Sequence, residues 1–91
     1  MTKRELLKEY AELCNIKNTE IDGIYASSNK SEIQAAIDCL KCPDETLDDY
    51  FTIIKLKYPN IYRTISANGD FKSHRYNRFY VWTAARALLA D

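Results

Sequence analysis

Four side chains in this 91-residue chain carry soft metal donors: Cys14, Cys39, Cys42 and His74. They are all of its cysteines and its one histidine. Cys39 and Cys42 form a Cys-x-x-Cys pair, a spacing that lets two sulfurs converge on one ion. Three thiolates and one imidazole supply the four donors of a closed, tetrahedral zinc site. The expectation is a structural zinc held by Cys14, Cys39, Cys42 and His74, joining the N-terminal half to the C-terminal half. The same residues admit a second reading. Cys14 and Cys39 sit among apolar positions and read as small core hydrophobes, with His74 solvated between Ser73 and Arg75. A redox role fits less well, because reactive Cys-x-x-Cys pairs favour a helix start and this pair falls at a helix end.

Charge and aromatic content give the next candidates. The chain holds thirteen acids and thirteen Lys and Arg residues. Residues 23–49 carry Glu32, Asp38, Asp44, Glu45, Asp48 and Asp49 against Lys30 and Lys41, whereas residues 50–91 carry Lys55, Lys57, Arg63, Lys72, Arg75, Arg78 and Arg86 against Asp70 and Asp91. One acidic and one basic surface would suit a partner of mixed charge; alternatively, the two stretches neutralise each other across the fold. The partner-binding candidates are Asp44, Glu45, Asp48 and Asp49 on the acidic side and Lys72, Arg75 and Arg78 on the basic side. The stretch FKSHRYNRFYVW interleaves cations with aromatics, a mixture that suits protein hot spots and stacked single-stranded bases alike. In a chain this small, Phe79, Tyr80 and Trp82 also read as core.

These residues must be positioned by helices. Thr2 and Glu5 fit a capping box, and Leu6, Leu7, Tyr10, Leu13 and Cys14 share one face of a helix over residues 2–14. A short helix is expected from Thr19 to Ala26, with Ile21, Ile24 and Tyr25 inward. Ser31 and Gln34 suggest a second capping box, before the stripe Ile33, Ala36, Ile37 and Leu40. Pro43 should stop that helix. Thr46 reads as the next start, with Leu47, Tyr50, Phe51, Ile54 and Tyr58 on one side and Pro59 as the stop. Residues 52–58 are dense in β-branched side chains and admit a strand instead. Residues 60–67 suggest another short helix, Asn68-Gly69 a stop, and a start at Ser73 or Asn77 opens a last helix ending at Ala90.

Size limits the options. A chain of 91 residues buries only about 60–65% of its unfolded surface, so a deep pocket would compete with the core for apolar side chains. The expected fold is therefore all-α, one domain of four to six short helices over residues 1–91, with zinc as a possible pin. Asp48 and Asp49 are adjacent and would point about 100° apart on a helix, so they do not make a catalytic carboxylate pair. With one histidine and no Gly-rich phosphate loop, the common hydrolase and nucleotide-binding plans lack parts. No apolar run approaches the roughly 18 residues of a membrane span. The opening MTKRELLKEY is charged throughout, unlike a secretory signal, and the odd cysteine count argues against a disulfide framework; both point to a reducing cytoplasm.

Two resemblances add to this reading. Residues 10–27, YAELCNIKNTEIDGIYAS, resemble the helix-turn-helix of phage and bacterial repressors. Ala11 takes the small contact position, Asn15 the turn, and Ile16, Ile21 and Ile24 the packing positions. That resemblance implies direct binding of duplex DNA by the second helix. Its outward residues would be Lys17, Asn18, Thr19, Asp22, Gly23 and Ala26, with Glu20 nearby, and one lysine against two acids is a poor surface for phosphate. The segment SNKSEIQAAIDCL resembles the third helix of small ubiquitin-binding bundles. As a whole, the short, neutral, helical chain looks like the accessory proteins of phages and mobile elements, the anti-CRISPR inhibitors among them. This implies a non-enzymatic inhibitor or regulator that blocks a larger protein or nucleoprotein machine through a protein interface, with no membrane involved.

Overall fold

Side chains placed just ahead of each hydrophobic stripe set most of the helix starts. In the computed structural model, which describes residues 2–20 and 28–90, the described residues are all-α. They form α1 (Lys3–Ile16), α2 (Lys30–Lys41), α3 (Asp44–Lys57), α4 (Pro59–Ala67) and α5 (Arg75–Ala90), with a 3-10 turn at Phe71–Ser73 and no strand. Residues 52–58, for which a strand was an option, continue α3 to Lys57. Contacts divide the chain into two units, Met1–Lys41 and Cys42–Asp91.

In the first unit, the Thr2 hydroxyl accepts from the Glu5 amide at 3.2 Å while the Glu5 carboxylate accepts from the Thr2 amide at 3.1 Å. This is the expected capping box. The reciprocal hydrogen bonds hold the Glu5 carboxyl below its ordinary pKa. The end of α1 differs from expectation. Asn15 remains helical, and Asn18 is the residue in left-handed backbone, at φ 54°. The Asn18 amide donates to Asn15 O at 3.3 Å and the Thr19 amide to Cys14 O at 2.9 Å. That double closure is a Schellman motif with asparagine in the usual glycine position. Cys14 and Thr19, the two residues it joins, are both buried.

For α2 the cap also lies earlier than Ser31. Asn29 Oδ1 accepts from the Glu32 amide at 2.9 Å, and Gln34 donates forward to Asp38 at 3.0 Å instead of folding back. Leu6, Tyr10 and Cys14 of α1 pack with Ile33, Ala36, Ile37 and Leu40 of α2, flanked by Leu7 and Leu13. Each fully buried aliphatic side chain here contributes about 1.5–3 kcal/mol. A Lys41–Glu9 ion pair at 2.9 Å closes the unit's surface and raises the Lys41 pKa through that hydrogen bond. The expected helix over residues 19–26 and the second half of the helix-turn-helix pattern fall mostly on residues 21–27, outside the described residues; Thr19 and Glu20 are not helical.

In the second unit, Pro43 rather than a side-chain cap precedes α3, which starts two residues before Thr46 with Asp44 and Glu45 in its first turn. Carboxylates there meet the positive end of the helix dipole. Leu47 and Ile54 are buried. Tyr58 separates α3 from α4, and Pro59 sits at the first turn of α4, where its missing amide costs nothing. Gly69, at φ 95°, follows the Asn68 cap and ends α4 as the Asn-Gly pair predicted. The Phe51 ring bridges three elements, lying 4.7 Å from Tyr62 of α4 and 4.4 Å from Phe71 of the 3-10 turn. Both α4 and α5 pack on α3, while α4 and α5 make little backbone contact with each other.

Candidate functional site

The metal candidates divide between the units. Cys14 and Cys39 are buried in the first, Cys14 inside its core cluster; Cys42 and His74 are half-buried in the second. All three cysteines are thiols rather than disulfides. Among the described residues, no group of three or more His, Cys, Asp and Glu side chains is gathered to hold a metal ion.

The charged candidates are brought together, and much of their charge meets inside the second unit. Lys72 Nζ lies 2.9 Å from Asp48 Oδ1, and this hydrogen bond raises the Lys72 pKa. Arg78, read from the sequence as a surface cation, is 1% exposed. Its guanidinium donates to Lys72 O and Cys42 O, each at 3.1 Å, and stands 3.6 Å from Asp44 Oδ1. A planar, forked donor suits this task, since one side chain satisfies carbonyls at both the start of α3 and the 3-10 turn. The acidic and basic stretches therefore do neutralise each other at these two pairs. Glu45 and Asp49 are exposed on α3, and Arg75 lies 3.8 Å over the Tyr76 ring.

A groove between α4 and α5 is where the second unit departs furthest from the sequence reading. It encloses about 710 Å³. One wall is Asn60, Ile61, Thr64 and Ile65; the other is Tyr76, Phe79, Tyr80 and neighbours down to Ala87. The groove lies where α4 and α5, each packed on α3, make little backbone contact with each other. Helix α5 has two faces. Arg78, Val81, Trp82 and Ala85 point inward. Tyr76, Tyr80, Thr83 and Ala87 recur at helical spacing on the other side and line the groove. Phe79, Tyr80 and Trp82 span about 160° of the helix circumference, too wide for all three to bury against one neighbour. Trp82 goes inside, while Phe79 stays 37% and Tyr80 43% exposed. The sequence admits two readings of these rings, hot spot or core; Trp82 follows the core reading, while Phe79 and Tyr80 remain partly exposed.

Two arginines stack on rings of α5. Arg75 stacks on Tyr76, itself a groove residue. Arg86 lies 4.3 Å over the Trp82 ring, which stands 5.8 Å from Phe79 of the groove. Arg63 is exposed on α4, next to Thr64. Helices α4 and α5 together hold four arginines and no aspartate or glutamate. No helix among the described residues is long and apolar enough to cross a membrane. Comparison with protein-family models, curated proteins and solved structures finds no match to this chain.

Proposed function

We propose that this chain is a non-enzymatic binding protein, an inhibitor or regulator of the anti-CRISPR type, and that the α4–α5 groove is the surface through which it engages a larger protein. One observation carries the reading: aromatic side chains at helical spacing, Tyr76, Phe79 and Tyr80, stand 69%, 37% and 43% exposed along an open apolar groove. Exposing that much ring surface is unfavourable in isolation, and tyrosine and arginine beside a concave surface are the usual composition of an interface hot spot.

The test is paired affinity capture from a bacterial lysate. Wild type, Tyr76→Ser/Tyr80→Ser and Leu56→Ser serve as baits. Leu56 is 79% exposed on α3 and lies outside the groove, so its variant controls for general loss of surface apolarity. A partner retained by wild type and Leu56→Ser and lost by the tyrosine variant is the expected result. A partner retained equally by all three baits overturns the groove as the interface.

A further inference from the structure

We infer that the occupant of the α4–α5 groove is an acidic amphipathic helix of a partner protein. This rests on the binding reading above and names the chemistry of the partner.

The groove's walls decide the secondary structure of the occupant. Both walls are helices, whose backbone amides and carbonyls are bonded internally beyond their first turns; of the lining residues, only the amides of Asn60, Ile61, Tyr76 and Asn77, at the helix starts, have no acceptor within the helix. The polar side chains along the groove are Asn60, Thr64, Tyr76, Asn77, Tyr80 and Thr83, and the Thr64 hydroxyl is engaged with Asn60 O at 3.1 Å. An extended peptide would bring backbone donors and acceptors along its whole length, and past the helix starts the channel offers them only scattered side chains, at about 1–3 kcal/mol for each group left unsatisfied. A helix brings none, because its backbone is bonded internally. The length also fits. The stripe from Tyr76 to Ala87 runs about 16 Å along α5, and apolar anchors at i, i+4 and i+7 of an incoming helix span about 10 Å.

Charge decides the sign. Arg63 on α4 and Arg86 on α5 are exposed, and neither helix carries a carboxylate. A partner helix with glutamates or aspartates beside its apolar stripe would meet complementary charge on both helices. A second copy docking groove to groove would set arginines against arginines, so the charge pattern argues against self-association through this face.

The experiment uses the intact chain and three labelled, helix-forming peptides of about 16 residues. One has leucines at i, i+3, i+4 and i+7 with glutamate on the remaining face. The second replaces each glutamate with lysine. The third has the acidic composition in an order that scatters the leucines around the helix. Fluorescence anisotropy should show the acidic peptide binding at least about tenfold tighter than either of the others. The Tyr76→Ser/Tyr80→Ser variant should lose at least about tenfold in affinity, and Arg86→Glu should shift the preference toward the lysine peptide. If the double variant proves unfolded by circular dichroism, Ala87→Gln, an exposed position on the same wall, takes its place with the same expectation. Equal binding of the acidic and lysine peptides overturns the proposal. So does affinity that the groove variants leave unchanged, or a dimer in ultracentrifugation that the tyrosine variant dissociates. A partner captured from lysate through the groove, together with no preference for the acidic peptide, would sink this inference and leave the binding reading standing. Groove-independent capture would sink the binding reading itself.

Discussion

Arg78 shows how one residue can change meaning between sequence and structure. In a run of alternating cations and rings it reads as a recognition arginine; in the fold it is buried, joining Lys72 O, Cys42 O and Asp44. Removing it would orphan two carbonyls and leave a cavity, so Arg78→Ala should destabilise the second unit by about 2–4 kcal/mol. Arg78→Lys should recover little, since a single ammonium cannot fork between both carbonyls. By contrast, Asp44→Asn, on an acid that is 55% exposed, should cost under about 1 kcal/mol. Urea unfolding of the three variants checks the order; an Arg78→Lys variant as stable as wild type would show that the fork is dispensable. Asn18 makes a second residue-level case. Its left-handed backbone predicts that Asn18→Gly is neutral or stabilising, while Asn18→Val should cost about 1–2 kcal/mol, read from the same denaturation curves.

At the scale of the element, the α1 capping box gives a pH dependence with a definite sign. The Glu5 carboxyl is held below its ordinary value by the Thr2 hydrogen bonds. A depressed folded pKa means that the contribution is present above the unfolded carboxylate range and is lost as pH falls through the folded value. Melting temperature should therefore fall on acidification in wild type and fall less steeply in Glu5→Gln; parallel curves would show that the carboxylate's charge contributes nothing there. This box was legible from Thr2 and Glu5 alone because its signal is local. So were the Pro43 and Pro59 boundaries and the Asn68-Gly69 stop. Ser31 and Thr46 failed as starts because Asn29 and Pro43 lie upstream and supply an earlier cap or bend. Asn15 failed as the turn because α1 could continue until a residue tolerant of left-handed backbone closed it at Asn18. The groove was the least legible feature. A periodic aromatic stripe shows which residues share a face but not whether a neighbouring helix covers it, and here α4 and α5 both pack on α3 and make little backbone contact with each other.

At the scale of the whole molecule, the equal count of acids and cations conceals an uneven placement. Part of the excess is consumed where Asp48 meets Lys72 and Asp44 meets Arg78. The exposed charges of α4 and α5, Arg63 and Arg86, are positive. A ligand that occupies this groove binds the folded second unit and not the unfolded chain, so it must shift the folding equilibrium by mass action. With the acidic helical peptide at ten times its Kd, the slowest-exchanging amides of α3, α4 and α5 should exchange about elevenfold more slowly, because their exchange requires global opening of the unit that holds the site. Hydrogen exchange read by mass spectrometry, segment by segment, measures this directly. The same concentration of the lysine peptide should give a much smaller change, and Tyr76→Ser/Tyr80→Ser should show almost none. Slowing confined to α1 and α2 would place the peptide elsewhere on the chain and remove the groove from the account.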